Sequence, residues 1–402
     1  MFRALLVSAV IAAVPPPPQP SVDPAVKIEK RHAECRVRID ALYARLLAAL
    51  DREAPDLAAE LRRQEPKPIR HGYGILPAIV PDAAPPPTPP KAKIVSYSWP
   101  RTASGLEEHA ARIAALTADV DRAPSIDAAL RRPVWEKAVR DWERIPKDQR
   151  SLDAHIQYNR LWQGEIAKNR TYYDRQTELL NSVIELQKIR DELAAGTSIE
   201  NKPALIAREE MFSRRIHDST DEIARSPFAS LTTPSAHVSV INVAMYTDIK
   251  DDNFVEQFRK AVESAWDVRD GDERFRVALT IHRIPPAADG TNFANNVARF
   301  PAGAAILTTG VITTHVAEGR CIALGPHEIQ PRVLAHEFGH ILGFSDAYFR
   351  GYRELGADGF EVMEVVADPD DIMGASGTGT VKRRHFERLV EVLRESDYGS
   401  NE

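Results

Sequence analysis

Glycine is distributed unevenly along this chain of 402 residues, and the imbalance restricts what each part of the chain can fold into. Residues 1–230 contain 5 of the 20 glycines, and residues 231–402 contain the other 15. Glycine permits tight turns and left-handed backbone, and it destabilises the interior of a helix. We therefore predict a multi-domain protein with a helical N-terminal region and a turn-rich domain over residues 231–402.

The glycine-poor region opens with the pattern of a coiled-coil-like helix, which we predict within residues 21–66. Between Val26 and Leu50, side chains recur at spacings of four and three, as on a helix that packs along a partner helix. The residues on this stripe are Ile28, His32, Cys35, Ile39, Leu42 and Leu46. We interpret His32 as a packed residue of the stripe rather than as a metal ligand.

A second helical region is predicted over residues 104–230. Its apolar pattern predicts helices over Gly105–Val120, Ser125–Ile145 and Ser151–Leu193, and again after Asn201-Lys202-Pro203. Gly196 ends the longest of these, so residues 151–225 are predicted to form a helical hairpin. The region contains no visible chemistry. We therefore predict a scaffold or a surface for a helical partner, and the alternative is a pro-region that covers an active site.

Proline and the N-terminus suggest further segments. Pro77–Pro90 is rich in proline and predicts an extended linker over residues 77–95. Residues 1–14 resemble a signal peptide, because Arg3 precedes a short apolar run with small residues that would allow cleavage after Ala13. We therefore predict a secreted or periplasmic protein whose mature chain has no membrane span. The alternative is an uncleaved apolar tail on a cytosolic protein.

Cysteine content and charge exclude some classes of protein. Cys35 and Cys321 are the two cysteines, so a disulfide framework is excluded, and either one bridge or two unpaired thiols would fit the sequence. The chain has 52 Lys and Arg against 58 Asp and Glu, for a net charge of -6. Because no basic field would attract phosphate backbones, we do not predict a nucleic-acid partner.

The glycine-rich domain begins with a mixture of strands and a helix. Strand patterns cover His237–Tyr246, Phe275–Ile281 and Ala304–Thr314, and an amphipathic helix covers Asn253–Trp266. This order predicts an α+β domain with a mixed sheet.

A helix predicted over Pro331–Leu342 contains the motif HExxH. His336 and His340 are four residues apart and therefore lie on one helix face, where both imidazoles can bind one zinc ion. Glu337 lies beside them and can reach a zinc-bound water. The motif predicts a catalytic zinc site with Glu337 as the general base.

Two later features extend the motif. Gly343 allows the chain to turn after the helix, and Asp346 can then swing back as a third zinc ligand, leaving the fourth position for water. Asp371-Ile372-Met373-Gly374 predicts a tight turn that contains a methionine.

The complete pattern, HExxHxxGxxD followed by a methionine turn, resembles the metzincin zinc peptidases. Aspartate at the third ligand position resembles the snapalysin type within that group. The resemblance implies that Tyr348 steadies the transition state, although the position would equally suit a half-buried packing aromatic. It also implies that Met373 lies beneath the metal and that Val381–Leu393 is the closing helix.

The resemblance further implies where a substrate would bind. An edge strand within Ala304–Thr314 would pair with an extended peptide, and the loop Gly374–Thr380 would line a side-chain pocket. We therefore predict an exported zinc endopeptidase that acts on peptide or protein substrates. The alternatives are a zinc hydrolase of small peptides or amides, and a helical interaction protein whose metal domain is structural.

Other polar residues near the motif are predicted to play lesser parts. We interpret three histidines as solvated or helix-capping residues rather than as ligands: His315, His327 and His385. Four aspartates suggest a calcium site or, in our preferred interpretation, a solvated acidic loop: Asp358, Asp368, Asp370 and Asp371.

Overall fold

A computed structural model describes residues 24–64, 72–84, 93–196, 198, 200–220, 223–288, 290–366 and 368–399. The predicted signal peptide, residues 1–14, and the central prolines of the predicted linker, Pro85–Pro90, lie outside these described residues. Among the helices of the described part, none combines the length and apolar character that a membrane crossing requires.

Helices and strands alternate in blocks along the described residues. The helices are α1 (Pro24–Glu53), α2 (Pro55–Arg63), α3 (Trp99–Arg122), α4 (Arg132–Lys168), α5 (Arg170–Ala194), α6 (Lys202–Thr220), α7 (Asp252–Ala265), α8 (Phe293–Val297), α9 (Pro331–Ile341) and α10 (Arg383–Gly399). The strands are β1 (Lys93–Ser98), β2 (Ala229–Ser235), β3 (Val238–Thr247), β4 (Asp267–Asp270), β5 (Glu273–Arg283), β6 (Ala305–Thr309), β7 (His315–Ala317), β8 (Cys321–Leu324), β9 (Tyr348–Glu354) and β10 (Phe360–Val366).

The chain divides into two compact units. The helical unit contains residues within 1–65, 98–159 and 356–359, and the sheet unit contains residues within 66–97, 160–355 and 360–402. Residues 160–230, which the sequence analysis placed with the N-terminal helices, therefore group with the sheet.

The core of the helical unit is formed by α1, α2, α3 and the first part of α4. The apolar stripe on α1 is buried at Ile28, Cys35, Leu42 and Leu46, as the periodicity predicts. His32 on the same stripe contacts Asp153 and Gln149 and so belongs to a polar network inside the unit, not to a metal site.

The helix boundaries predicted between residues 125 and 193 are wrong. α4 runs through Pro146, which removes one backbone hydrogen bond without ending the helix. It ends at Lys168, where the prediction had a continuous helix from Ser151 to Leu193. Asn169 leaves the helical conformation, with φ −138° and ψ 56°, and α5 begins at the next residue. Asparagine favours such breaks because its side chain competes with helical backbone hydrogen bonds.

The predicted helical hairpin exists, but it is formed by α5 and α6. Gly196 follows α5 with φ +88°, the left-handed conformation that ends a helix, as predicted. α5 packs against β9 and β10, which form a three-stranded sheet with β1. The Gly351 backbone on β9 approaches Thr177 so closely that a Cβ on Gly351 would lie 2.8 Å from the Thr177 Cα.

The main sheet of the sheet unit is mixed, which agrees with the predicted α+β class. Its strand order is β4-β5-β3-β6-β8-β7, and β2 pairs with the first half of β3. β3, β5, β6 and β8 are parallel, whereas β2, β4 and β7 are antiparallel to their neighbours. α7 and α9 pack together against this sheet in one apolar core that includes Phe258, Trp266 and Phe338.

The described part of the predicted linker packs on the sheet unit. Ile79 forms a parallel bridge with Ile329, and the Val80 N–H donates to the Ile329 carbonyl at 2.9 Å. Residues 77–84 are therefore attached to the sheet unit and do not form a free spacer.

The two cysteines do not form a bridge. Cys35 and Cys321 are both free and buried, so the alternative of unpaired thiols is correct. Burial raises the pKa of Cys321 to about 12, which makes this thiol unreactive at neutral pH.

Candidate metal centre

α9 positions most of the candidate site, and contacts at both ends hold it in place. Pro331 occupies the first turn, as predicted, where its missing N–H leaves no helical bond unmade. The next backbone N–H, of Arg332, donates to the Asp82 carboxylate at 3.0 Å. Further along, the indole N–H of Trp266 donates to the Ala335 carbonyl at 2.9 Å. These contacts fix the helix that carries the HExxH motif.

The two histidines of the motif are oriented by hydrogen bonds from their Nδ1 atoms to backbone carbonyls. His336 Nδ1 lies 2.8 Å from the Ile372 carbonyl, and His340 Nδ1 lies 2.8 Å from the Phe344 carbonyl. A carbonyl accepts, so each Nδ1 carries its proton and each Nε2 is left as the lone-pair nitrogen that a metal requires.

Gly343 produces the predicted turn after α9. Its φ is +102°, in the left-handed region, and a Cβ there would lie 1.9 Å from the Ala224 carbonyl oxygen. The turn returns the chain towards α9 and places Asp346 beside the two histidines.

The three predicted ligands converge on one point. Asp346 Oδ1 lies 3.4 Å from the Nε2 atoms of both His336 and His340. In the described part of the chain, these residues are the one group of His, Cys, Asp and Glu side chains close enough to hold a metal ion, with ligand atoms within 4.8 Å of one another. Asp346 Oδ1 is also buried without a hydrogen-bond partner. Two imidazole nitrogens beside an unsatisfied carboxylate oxygen fit a zinc ion.

Glu337 lies in the same cavity as the ligands and has an unusual acidity. Burial raises the pKa of Glu337 to about 7, although His340 and a hydrogen bond from the Val316 backbone oppose this shift. A carboxyl group with this pKa can both accept and return a proton at neutral pH.

The ligand side chains influence one another's charge. Burial lowers the pKa of His336, and the neighbouring His340 lowers it further, which favours the neutral ring. Burial disfavours the charged forms of His340 and Asp346 as well, but their mutual attraction outweighs it. The pKa of His340 is therefore raised and that of Asp346 is lowered.

Tyr348 begins β9, two residues beyond Asp346, and lines the same cavity. Burial raises its pKa, and the nearby Asp346 carboxylate raises it further, so the hydroxyl keeps its proton at neutral pH. The guanidinium carbon of Arg350 lies 5.1 Å from the centre of the tyrosine ring. The tyrosine hydroxyl forms a hydrogen bond with the Asp346 carboxylate, so its donor proton lies beside the candidate ligands.

The methionine turn packs beneath α9. A Cβ on Gly339 would lie 2.4 Å from the Met373 sulfur, so a larger residue at position 339 would force the Met373 side chain to shift. Asp371 holds the turn, since its carboxylate accepts from the Met373 N–H at 2.7 Å. The Ala347 N–H donates to the Met373 carbonyl at 2.9 Å, which ties the turn to the segment of Asp346.

The ligands, Glu337 and Tyr348 line a cavity of about 510 Å³. Two segments form its walls. One is the start of β7 with the residue before it, Thr314–Val316. The other is residues 224–228, which together with Ile223 form a segment that we call the strap. The strap runs antiparallel to the turn after α9, through a bridge between Ile223 and Phe344.

The predicted edge strand is wrong. β6, within Ala304–Thr314, lies inside the sheet between β3 and β8, and the edge of the sheet is formed by β7. The apolar sequence of β6 reflects burial on both faces, because all five of its residues are buried. β7 is short and partly polar, which is why its pattern gave no strand signal.

The predicted substrate loop, Gly374–Thr380, does not line this cavity. Gly379 and Thr380 line a separate cavity, beside Pro331 and Arg332 at the start of α9. The closing helix is present as α10, two residues later than predicted at its start.

The three histidines predicted to be solvated or helix-capping differ in their surroundings. His315 and His327 are exposed, as predicted, and His315 lines the cavity. His385 is buried, accepts from the Lys382 N–H at 2.9 Å and contacts Asp371 at 3.1 Å, so it caps α10 but is not solvated.

The prediction of a solvated acidic loop is wrong for two of its aspartates. Asp371 is buried and contacts Arg384 at 2.5 Å, and Asp368 contacts the same guanidinium at 2.9 Å. Asp358 is exposed and lies in a short 3₁₀ helix of the helical unit. Arginine pairing, rather than solvent, therefore accounts for Asp368 and Asp371.

Sequence reasoning missed the strap and the cap of α9. Asp82 and residues 223–228 lie far from the motif in sequence, and neither has a periodic pattern. Gly343 was the one available signal, because glycine is favoured where another group approaches the backbone closely. It could have indicated that a further segment packs against this turn.

The chain matches no protein-family model, no curated protein and no solved structure.

Proposed function

We propose that the protein is a zinc-dependent endopeptidase with a metzincin-like catalytic domain of the snapalysin type. One observation carries the proposal: His336, His340 and Asp346 converge in an open cavity that Glu337 also lines. A structural zinc site is normally closed by four protein ligands, whereas a catalytic site has three and an open position. The sequence resemblance supports the same assignment.

His336, His340 and Asp346 would hold the zinc ion. When bound, zinc supplies Lewis acidity, which polarises a substrate carbonyl and acidifies a water molecule. The Ile372 and Phe344 carbonyls orient the two imidazoles, so the ligand geometry is fixed before metal binds.

Glu337 is the proposed general base. Its carboxylate would take a proton from the attacking water and return it to the leaving amine, and a pKa of about 7 suits both steps at neutral pH. Tyr348 would donate a hydrogen bond to the oxyanion, because its raised pKa preserves the donor proton.

The walls of the cavity favour a peptide substrate over a small amide. β7 lies at the edge of the sheet and pairs with β8, so within the described residues its other side is available to an extended peptide. The peptide would be a protein segment or a free peptide in the periplasm or outside the cell, in keeping with the predicted signal peptide. Binding of a helical partner through residues 104–230 remains a separate prediction.

The interaction-protein alternative has less support. A structural metal site does not require a buried carboxyl group beside the ligands, and burial of Glu337 disfavours its charged form. Such a residue is expected where proton transfer takes place.

Digestion of an unfolded protein substrate would test the proposal. Casein is incubated with the zinc-loaded protein, and the products are identified by mass spectrometry. We expect internal fragments, loss of cleavage with 1,10-phenanthroline and recovery with added zinc, whereas the non-chelating 1,7 isomer should have no effect. Cleavage of small amides alone would favour the alternative hydrolase.

The variant Glu337→Gln separates binding from catalysis. We expect zinc content to be unchanged and the rate of casein cleavage to fall by roughly 10²- to 10⁴-fold, the usual contribution of a general base. His327→Ala is the control, because His327 is exposed and does not line the cavity. Retained cleavage by Glu337→Gln would remove Glu337 from its role.

A further inference from the structure

The strap is held rigidly against the end of α9 by three contacts. The Ala224 N–H donates to the Gly343 carbonyl at 2.9 Å, and Ile223 bridges Phe344. Beyond them, the buried Ser226 hydroxyl donates to the Ile341 carbonyl at 2.6 Å. The residue between Ala224 and Ser226 is therefore mounted on fixed backbone.

That residue is Arg225, an exposed arginine that lines the cavity of the candidate metal centre. Within the described residues, its guanidinium makes no hydrogen bond or ion pair. Most other arginines of the sheet unit are paired, as Arg350 is with Glu364 and Arg384 with Asp368. A guanidinium without a partner among the residues that the structure describes can present paired N–H donors that match a carboxylate.

The charge of the cavity also favours an anion. Its lining contains two carboxyl groups, Glu337 and Asp346, and both belong to the proposed metal chemistry. With a zinc ion and Arg225, the positive charges would total three against at most two negative ones.

We propose that Arg225 is a specificity residue that selects peptides with a glutamate or aspartate side chain close to the scissile bond. The inference rests on the proposed endopeptidase function. Arg225 would form a charge-assisted hydrogen bond with the substrate carboxylate while β7 pairs with the substrate backbone. A free C-terminal carboxylate presents the same chemistry, so the test must distinguish the two sources.

Matched peptides provide the test. In a fluorogenic series, a single glutamate is moved through the three positions on each side of the cleaved bond, and each peptide is paired with its glutamine counterpart. All peptides are amidated at the C-terminus, and one further set has a free C-terminus. We expect kcat/KM to be roughly tenfold higher for glutamate at one position, the usual value of one charge-assisted hydrogen bond.

Substitution of Arg225 should remove this preference. We expect Arg225→Gln to bring the ratio of kcat/KM for glutamate and glutamine peptides close to one. Arg225→Lys should leave a smaller preference for glutamate, because lysine retains the positive charge but lacks the paired N–H donors of a guanidinium. The matched control is Arg269→Gln, since Arg269 is exposed on β4, at the opposite end of the sheet from β7.

The outcomes separate this inference from the function on which it depends. Cleavage of casein with equal rates for glutamate and glutamine peptides would overturn the role of Arg225 but leave the endopeptidase intact. If the enzyme prefers peptides with a free C-terminal carboxylate but does not distinguish glutamate from glutamine, the proposal that Arg225 selects an acidic side chain is overturned. If the zinc-loaded protein cleaves neither casein nor any peptide, the endopeptidase proposal itself fails, and the inference fails with it.

Discussion

Asp346 gives the candidate centre a negative charge that a third histidine would not provide. Its Oδ1 is buried and lies 3.4 Å from both imidazole Nε2 atoms. A buried carboxylate oxygen without a hydrogen-bond partner destabilises a fold unless a cation compensates it. The metal and this residue should therefore stabilise each other.

We expect Asp346→Ala to weaken zinc binding strongly. The loss in affinity should exceed the roughly 10- to 100-fold that results from removing an outer-shell partner, because a direct ligand is lost. Zinc content after dialysis, measured by plasma mass spectrometry, is the readout. Asp358→Ala is the control, because Asp358 is exposed and belongs to the helical unit, whereas the three candidate ligands belong to the sheet unit. Full zinc occupancy in Asp346→Ala would mean that the third ligand is another residue.

Gly343 connects the turn after α9 to the strap. A Cβ there would lie 1.9 Å from the Ala224 carbonyl oxygen, at a φ of +102° that side chains disfavour. We expect Gly343→Ala to lower the free energy of unfolding by about 2 kcal/mol or more, as strained glycine positions do. Urea denaturation of the zinc-loaded protein would measure this.

Gly271→Ala is the matched control for that measurement. Gly271 also has a positive φ, +58°, but nothing lies within 4 Å of the position of its Cβ. The difference between the two variants isolates the close approach of the strap from backbone strain. Equal losses of stability would show that the strap does not restrict position 343.

At the scale of elements, α10 is attached to the methionine turn through the buried carboxylate of Asp371. Asp371 contacts His385 at 3.1 Å and Arg384 at 2.5 Å, and it accepts from the Met373 N–H. Burial alone would raise the pKa of Asp371, but these partners outweigh burial and hold its pKa well below the usual range. The attachment is therefore sensitive to acid.

The direction of that sensitivity follows from linkage. Since the pKa is lower in the folded state, the carboxylate stabilises the fold above its unfolded pKa of about 4, and this contribution is lost as the pH falls further. We expect Asp371→Asn to reduce the free energy of unfolding at pH 7, with a difference from the wild type that shrinks towards pH 3. Urea denaturation across this range is the measurement. Asp270→Asn, in an exposed pair with Arg383, should show little change at any pH. A difference that stays constant with pH would contradict the assignment.

At the scale of the whole molecule, the candidate metal ligands could be predicted from the sequence. The segments that pack against them from distant parts of the chain could not. The pair His336 and His340 followed from helical periodicity, and Asp346 followed from the turn at Gly343, because both depend on fewer than a dozen consecutive residues. The strap and Asp82 were missed, since their places depend on contacts across more than a hundred residues. The break at Asn169 was missed because the apolar pattern continues through it.

The contacts of residues 160–228 bear on the pro-region alternative. α5 packs on β9, the strand that follows Asp346, through Leu180, Val183 and Phe349. The strap closes one wall of the cavity. These segments belong to the sheet unit, so their removal should damage the candidate metal centre rather than uncover it.

We therefore expect a chain of residues 231–402 to bind less zinc and to cleave casein more slowly than the full chain. Truncation would expose the apolar face of β9 and β10, and would remove both Ala224, the partner of Gly343, and Asp82, the cap of α9. Zinc content, casein cleavage and circular dichroism are compared for both proteins at equal concentration. A second chain, begun at residue 24, is the control for removal of an N-terminal segment alone. Faster casein cleavage by residues 231–402 would contradict this account and support an inhibitory pro-region, because inhibition can be relieved only if the remaining residues still form the metal centre.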